Sequence, residues 1–140
     1  MFIPFAKPLI DRQDIKHLND AAKSGWISKG KYVDGFENKL KFFFKVKYAC
    51  TTSSGSSAIL LAYLVLGLKP GDEIVVPGYG FLAAANVAKT LGLKVIFADV
   101  DPSTFCVSQE TLKKAISRKT KLVIVIHLYG NICEIDKISS

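Results

Sequence analysis

The sequence predicts an α/β fold in which helices flank a largely parallel sheet. From residue 48 onward, short runs of β-branched residues alternate with longer runs of helical length, a pattern typical of parallel strands joined by helices. Residues 122–126 form an unbroken Leu-Val-Ile-Val-Ile run, which favours a strand buried on both faces. With 140 residues and 49% hydrophobic content, the chain is large enough to form one domain with a core.

Composition argues against several classes of protein. The longest apolar run, residues 58–68, is far shorter than the roughly 20 residues of a membrane span. The start of the chain lacks the features of a signal peptide, so we expect a cytoplasmic location. The net charge of +7 comes from scattered lysines and not from a basic stripe, so we expect no nucleic-acid or membrane partner. The odd number of cysteines and their spacing predict reduced, buried thiols at Cys50, Cys106 and Cys133, with no metal site.

Residues 1–47 are predicted to form a helical N-terminal region of this domain, ahead of the strand-helix units of residues 48–140. The first helix begins after Asp11, which can cap it, and ends at Gly25. The second covers about residues 31–44 and carries an apolar stripe that predicts core packing, formed by Val33, Phe36, Leu40 and Phe43. The loop between them displays Trp26; such a residue either contacts ligand or, more commonly, packs on a neighbouring element.

Residues 48–67 predict a strand, a tight turn and a buried helix. In the turn, the first backbone N–H groups of the helix lack partners inside the helix, and they converge with serine hydroxyls on a site that suits a phosphate. These N–H groups and the hydroxyls of Ser54, Ser56 and Ser57 are therefore candidates for an anion-binding cradle. The alternative is that serine and glycine only cap a core helix, as serine often does.

The remaining chain is predicted to alternate strands and helices. A Pro-Gly turn at residues 69–72 precedes the first of them. Strands are predicted at residues 73–77, 94–98 and 121–126, and helices at residues 81–91, about 108–117, and from about 133 onward. Because ligands of parallel sheets bind at the carboxyl ends of strands, candidate site segments are residues 52–57, 77–81, 99–101 and 127–130.

One motif favours a different protein. Gly78, Gly80 and Ala83 fit the spacing G-x-G-x-x-A after a strand, and Asp99 follows at about the distance expected for a ribose-binding acid. An NAD-binding Rossmann domain is therefore an alternative. Against it, Pro77 fixes the backbone before the first glycine, and a complete strand-turn-helix already precedes a fingerprint that normally marks the first such unit.

Five separated motifs, in order and with their spacing kept, resemble the DegT-type sugar aminotransferases, which are fold-type I pyridoxal-phosphate (PLP) enzymes. The motifs are Ser53-Ser54-Gly55-Ser56, Pro70-Gly71-Asp72-Glu73-Ile74-Val75-Val76-Pro77, Phe81 with Ala84-Ala85-Asn86, Asp99-Val100-Asp101-Pro102, and His127-Leu128-Tyr129-Gly130. The loop of residues 24–30 and the Phe36-Glu37 pair are also similar to the opening of that family. The resemblance implies that residues 1–140 are the N-terminal part of the large domain of such an enzyme.

The resemblance implies roles for individual residues. Gly55, Ser56 and Ser57 would hold the phosphate of PLP, and Phe81 would stack on its pyridine ring. Trp26, His127 and Tyr129 would face the substrate, although a lone histidine at a strand end is more often a structural hydrogen-bonding group. Asn86 would face either the site or the sheet.

The implied reaction transfers an amino group, with glutamate as donor, to a nucleotide-linked keto sugar for polysaccharide or glycan precursors. It implies a homodimer. The lysine that forms the Schiff base with PLP is expected beyond Ser140, so no catalytic residue is assigned, and the chain alone is expected to be inactive with an unpaired sheet edge. The alternatives are a PLP-dependent sugar dehydratase of the same family, the Rossmann domain, and a remnant without catalysis.

Overall fold

A computed structural model describes residues 6–139 and divides the chain into two compact units, Met1–Thr51 and Thr52–Ser140. The sequence predicts one domain whose helical N-terminal region ends at residue 47, and this domain organisation stays a prediction. No helix in the described part of the chain is both long enough and apolar enough to cross a membrane.

The N-terminal unit contains two helices with the predicted bounds, α1 (Arg12–Lys23) and α2 (Lys31–Phe44). Asp11 caps α1, because its carboxylate accepts the N–H groups of Gln13 (2.7 Å) and Asp14 (3.0 Å). Gly25 follows the helix in the left-handed conformation, with φ +70°.

Core packing of α2, however, is a wrong prediction for the described residues. None of the residues of α1 or α2 is buried, and Phe36 and Phe43 of the apolar stripe are 53% and 76% exposed. The physical reason is geometric: two short helices and their connecting loop do not enclose a core.

The C-terminal unit begins with α3 (Gly55–Val65), as predicted, but the preceding strand does not form. Thr51, at the end of the predicted strand, gives its N–H to the Glu37 carboxylate (2.9 Å) and not to a neighbouring strand. That hydrogen bond and one from the Thr51 hydroxyl lower the pKa of Glu37. A strand without a ladder partner has no reason to persist.

A buried α3 is also a wrong prediction. Only Tyr63 is buried among the residues of α3, and its hydroxyl donates to the carbonyl of Ala84 at 3.1 Å. Leu64 and Val65 are exposed. The helix is apolar on all sides, and only one side is covered, by the helix α4 (Ala83–Thr90).

The predicted parallel sheet is confirmed. It has three strands in the order β2-β1-β3, and both pairings are parallel. The elements after α3 are β1 (Glu73–Pro77), α4 (Ala83–Thr90), β2 (Lys94–Ala98), α5 (Gln109–Ala115), β3 (Thr120–Val123) and α6 (Ile135–Ser139). Helix α4 starts two residues later than predicted, and β3 is shorter than its apolar run.

All five residues of β1 are buried, and this central strand separates two apolar clusters. Ile74 and Val76 pack with Tyr63 and with α4, whereas Val75 packs with α5. Residues of the 122–126 run contact both clusters, as predicted, but they are only half-buried because β3 lies at an edge. Cys106 and Cys133 are buried, whereas Cys50 is exposed, so its predicted burial is wrong.

A single carboxylate joins the three strands at their amino ends. Glu73, only 5% exposed, accepts hydrogen bonds from the hydroxyls of Ser117 (2.6 Å) and Thr120 (3.1 Å) and pairs with Lys94 at 3.1 Å. Lys94 in β2 and Thr120 in β3 are the register partners of Glu73. The Ser117 hydrogen bond, followed by the one from Lys94, lowers the pKa of Glu73.

We expect Glu73→Ala to lower the melting temperature by several degrees at neutral pH, because the variant loses the group that all three strands share. Since the folded-state pKa is lowered, the stabilisation is complete above the ordinary pKa of 4.5 and is lost as pH falls through the folded value. The difference between wild type and variant should therefore shrink in acid, as measured by thermal unfolding followed by circular dichroism.

Glu110→Ala is the matched control, because Glu110 is an exposed carboxylate 3.8 Å from Lys114. It should leave the melting temperature nearly unchanged. Equal effects of the two variants, or a Glu73 effect that is independent of pH, would contradict this account of the sheet.

Candidate functional site

The loop after β1 is shaped by two glycines. The N–H of Gly78 donates to the carbonyl of Ala98 at 2.7 Å, and a Cβ on Gly78 would lie 3.2 Å from that oxygen. Gly80 has φ +147°, which other residues rarely adopt. The loop turns Tyr79 and Phe81 outward, and Phe81 is 83% exposed.

Three aromatic rings meet at the carboxyl edge of the sheet. Tyr79 follows β1, Phe105 follows β2 and Tyr129 follows β3, with ring centroids 5.5–6.4 Å apart. The hydroxyls of Tyr79 and Tyr129 are hydrogen-bonded at 3.0 Å, which raises the pKa of Tyr129. Sequence reasoning selected Tyr129 and missed the other two, although an aromatic residue after every strand was a visible signal. We call Tyr79, Phe105 and Tyr129 the aromatic cluster.

Two members of the aromatic cluster have strained backbones. Phe105 (φ 58°) and Tyr129 (φ 55°) are left-handed, which costs a non-glycine residue about 1 kcal/mol. Local hydrogen bonds hold Phe105: its N–H donates to the carbonyl of Asp101 at 2.7 Å, and the Asp101 N–H donates to the Cys106 carbonyl at 2.9 Å. The Asp101 carboxylate in turn accepts from Ser103, which lowers the pKa of Asp101. Strain of this kind is common at functional sites.

His127 has a structural hydrogen bond. Its Nδ1 accepts the N–H of Cys133 at 3.0 Å and so closes the loop after β3. In the neutral ring the proton then lies on Nε2, and the side chain is exposed. The substrate role of His127 stays a prediction.

Asn86 is exposed and does not face the sheet.

The amino end of α3 combines a cap with unused donors. Ser54 caps the helix by accepting the N–H of Ser57 at 3.1 Å, and the hydroxyls of these two serines lie 3.0 Å apart. By contrast, the N–H groups of Gly55 and Ser56 and the Ser56 hydroxyl form no hydrogen bond with any residue of the described range. A Cβ on Gly55 would meet no atom within 4 Å.

These donors fit a phosphate. Two free amides and a hydroxyl at the positive end of an eleven-residue helix are the groups that an anion needs, and open space lies beside Gly55. The alternative interpretation, in which the serines of this turn only cap α3, is correct for Ser54. It gives no role to Ser56.

Trp26 belongs to the N-terminal unit, where it organises its own loop. Its indole N–H donates to the Lys29 carbonyl, and its ring lies over Gly30, where an added Cβ would be 2.5 Å from Cδ1. The ring is 65% exposed and lines a mostly apolar pocket of about 480 Å³ between α1 and α2. Trp26 thus packs within its unit, and its contact with substrate stays a prediction.

The Rossmann alternative gains no support from the loop geometry. The Gly78 amide is already bound to Ala98, and α4 begins only at Ala83, after a Leu82 N-cap whose side chain forms no hydrogen bond. A pyrophosphate would need free amides at a helix that starts within the glycine turn. The close approach of β1 and β2 at Ala98 explains Gly78, whereas its positive φ and the Ile126 side chain, 3.2 Å from an added Cβ, explain Gly80.

Residues 8–140 match the model of the DegT/DnrJ/EryC1/StrS aminotransferase family. The chain is 40% identical over 137 residues to a GDP-perosamine synthase of Vibrio cholerae, covering 97% of this chain and 37% of that protein. It therefore spans little more than a third of this relative's length.

Solved structures agree with this match. A sugar aminotransferase from Streptococcus pneumoniae in its PMP form superposes with a TM-score of 0.90 at 31% identity, covering 98% of this chain and 35% of that one. The E. coli GDP-4-keto-6-deoxy-D-mannose-3-dehydratase with bound hydrated PLP superposes with a TM-score of 0.90 at 33% identity, covering 97% and 36%.

We expect Ser54→Ala to destabilise the protein by about 1 kcal/mol, because α3 loses its N-cap. Ser56→Ala should change the free energy of unfolding by less than about 0.5 kcal/mol, since its hydroxyl has no partner among the described residues. Urea denaturation of both variants measures the difference. A Ser56 variant as unstable as the Ser54 variant would mean that Ser56 is structural.

Proposed function

The chain belongs to the DegT/DnrJ/EryC1/StrS aminotransferase family, and on this premise we propose that its residues hold PLP in a sugar aminotransferase. The reaction moves an amino group from glutamate to a nucleotide-linked keto sugar, for polysaccharide or glycan precursors. The amino end of α3 is the observation that carries the proposal, because its free donors suit the phosphate of this cofactor.

In the proposed complex, the N–H groups of Gly55 and Ser56 and the Ser56 hydroxyl donate to the phosphate. The positive end of the α3 dipole adds an attraction for the negative charge. The Ser57 hydroxyl lies 3.0 Å from that of Ser54; when Ser54 is the donor in this pair, the Ser57 O–H also donates to the phosphate. The cap therefore keeps the cradle in place before the phosphate arrives.

Phe81 is the proposed stacking partner of the pyridine ring. Its side chain is 83% exposed at the carboxyl edge of the sheet, so the ring has little structural use in the described residues. When bound, PLP supplies the electron sink that aminotransfer requires. We assign no catalytic residue: none of the lysines in these 140 residues matches the family position, and the proposal places that lysine in the part of the relatives' length that this chain does not span.

The remaining assignments concern substrate and assembly. Tyr129 and His127 follow β3, where a sugar or nucleotide group could reach the Tyr129 ring and the His127 Nε2, which has no partner in the described part of the chain. Trp26 is proposed for the same substrate. The proposal includes a homodimer, as the family resemblance implies. It also places the enzyme in the cytoplasm, where nucleotide sugars and glutamate are available.

A dehydratase is the second candidate, and the similarity to the E. coli dehydratase favours it. The two reactions differ in product: the aminotransferase adds nitrogen to the sugar and consumes the amino group of glutamate, whereas the dehydratase removes a sugar hydroxyl. Incubating the complete enzyme with PLP, ¹⁵N-glutamate and a GDP-linked 4-keto sugar should give a ¹⁵N-labelled amino sugar by mass spectrometry. A deoxy product without nitrogen would favour the dehydratase.

Binding of PLP tests the cradle itself. We expect Gly55→Ala to weaken PLP binding by about tenfold, because its new methyl group occupies the open space beside the free amides. The variant should keep its melting temperature, since no described atom lies within 4 Å of that methyl group. Absorbance titration of the complete apoenzyme with PLP measures the affinity.

Gly35→Ala in α2 is the matched control, because an added Cβ there also meets no atom within 4 Å. It should leave PLP affinity unchanged. If Gly55→Ala binds PLP as tightly as the control, the phosphate does not lie at the amino end of α3.

A further inference from the structure

One shielded carboxylate of the N-terminal unit has no part in the proposed function. Glu37 lies in α2, where no residue is buried, yet its side chain is only 13% exposed, whereas the neighbouring Phe36 is 53% exposed. Its Oε1 accepts the N–H of Thr51 at 2.9 Å and the Thr51 hydroxyl at 3.0 Å. Its Oε2 accepts from the Lys29 ammonium at 3.3 Å. Both oxygens of this carboxylate are therefore held.

Lys29 connects Glu37 to the loop of residues 24–30, which we call the Trp26 loop. The side chain of Lys29 reaches Glu37, whereas its backbone carbonyl accepts the indole N–H of Trp26. The backbone N–H of Trp26 also donates to the Ser24 hydroxyl at 3.2 Å. A displacement of Lys29 therefore displaces the acceptor that orients the indole ring.

The contact of Lys29 with Glu37 is stronger than its contact with Asp34. The Asp34 Oδ1 lies 3.8 Å from the Lys29 nitrogen, and the Asp34 side chain is 60% exposed, so water screens this pair more. The hydrogen bond to Glu37 is the first cause that raises the pKa of Lys29. Hydrogen bonds from Thr51, and then that from Lys29, lower the pKa of Glu37. Both groups are therefore charged at neutral pH.

The hydrogen bonds of Trp26 limit how this residue can contact a ligand. Because the indole N–H is already donated to Lys29, the ring offers an apolar face and no free donor. The ring is 65% exposed, so that face is accessible. An exposed indole face held in one orientation suits stacking on a planar ring such as a nucleobase.

We propose that Glu37 is a positioning residue for substrate binding, which acts through Lys29 to hold the Trp26 loop in the form that contacts the substrate. This inference rests on the proposed function, in which Trp26 contacts the nucleotide-linked sugar. A loop that is already held loses less conformational freedom when the substrate binds, so binding is tighter. Because the gain is the same for the bound substrate and the transition state, it lowers KM and leaves kcat unchanged.

Two substitutions in the complete enzyme break the link at its two ends. Lys29→Met removes the ammonium and keeps the backbone carbonyl that accepts from Trp26. Glu37→Gln keeps an acceptor for Thr51 and presents an NH₂ group to Lys29. With PLP, glutamate and a GDP-linked 4-keto sugar, each variant should raise the KM for the sugar by about threefold, as expected for a partly exposed ion pair. The kcat and the PLP affinity should stay unchanged.

Asp34→Asn is the matched control, because it removes the more distant carboxylate from the same ammonium. It should leave KM unchanged. A KM increase confined to Lys29→Met would mean that the ammonium itself binds the substrate, and would overturn the role of Glu37. An unchanged KM in both test variants, or an equal increase in the control, would also overturn it.

A second measurement reports on the Trp26 loop without substrate. In the complete protein labelled with 5-fluorotryptophan, the ¹⁹F resonance of Trp26 is identified by its absence in Trp26→Phe. It should shift in Lys29→Met and Glu37→Gln and stay in place in Asp34→Asn. An unshifted resonance in an enzyme that transfers nitrogen would overturn the positioning role alone. A wild type that transfers no nitrogen would overturn the aminotransferase proposal, and the substrate role of Glu37 with it.

Discussion

The Glu73 carboxylate is the interaction on which the C-terminal unit depends. It binds groups on or beside all three strands, and two of its partners, Lys94 and Thr120, are its register partners in β2 and β3. The β1–β2 register runs without interruption from Glu73 and Lys94 to Pro77 and Ala98, whereas the β1–β3 register has an irregularity directly after Glu73. Because all three strands are parallel, the loops that follow them emerge at one edge of the sheet. The contacts of Glu73 thus lie at one end of the sheet, and the aromatic cluster lies at the other.

At the carboxyl edge of the sheet, strained backbones and exposed apolar side chains lower the local stability. Phe105 and Tyr129 keep left-handed backbones, Phe81 leaves a large apolar side chain in solvent, and the Tyr79 and Tyr129 hydroxyls pair with each other. At the amino end of α3, Ser54 caps the helix, while the N–H groups of Gly55 and Ser56 have no hydrogen-bond partner among residues 6–139. Groups that the fold does not need are the ones available to a cofactor or substrate.

Sequence reasoning succeeded where local chemistry decides the structure. The bounds of α2, β1 and β2, the Asp11 cap and the parallel sheet follow from capping residues, apolar periodicity and turns, and the family resemblance is confirmed. It failed where the structure depends on contacts with other elements. The predicted strand before α3 has no neighbouring strand among the described residues, and too few of them cover α3, the apolar stripe of α2 and Cys50 to bury these groups. An aromatic residue after every strand was the signal for Tyr79 and Phe105, but their meeting with Tyr129 depends on strand order and backbone conformation, which the pattern alone does not give.

The most direct measurement is a crystal structure of the complete protein with PLP. The account predicts phosphate oxygens about 2.7–3.2 Å from the N–H nitrogens of Gly55 and Ser56 and from the Ser56 hydroxyl. It also predicts that the pyridine ring stacks on Phe81. A phosphate bound elsewhere, with the amino end of α3 still free of ligand, would contradict it.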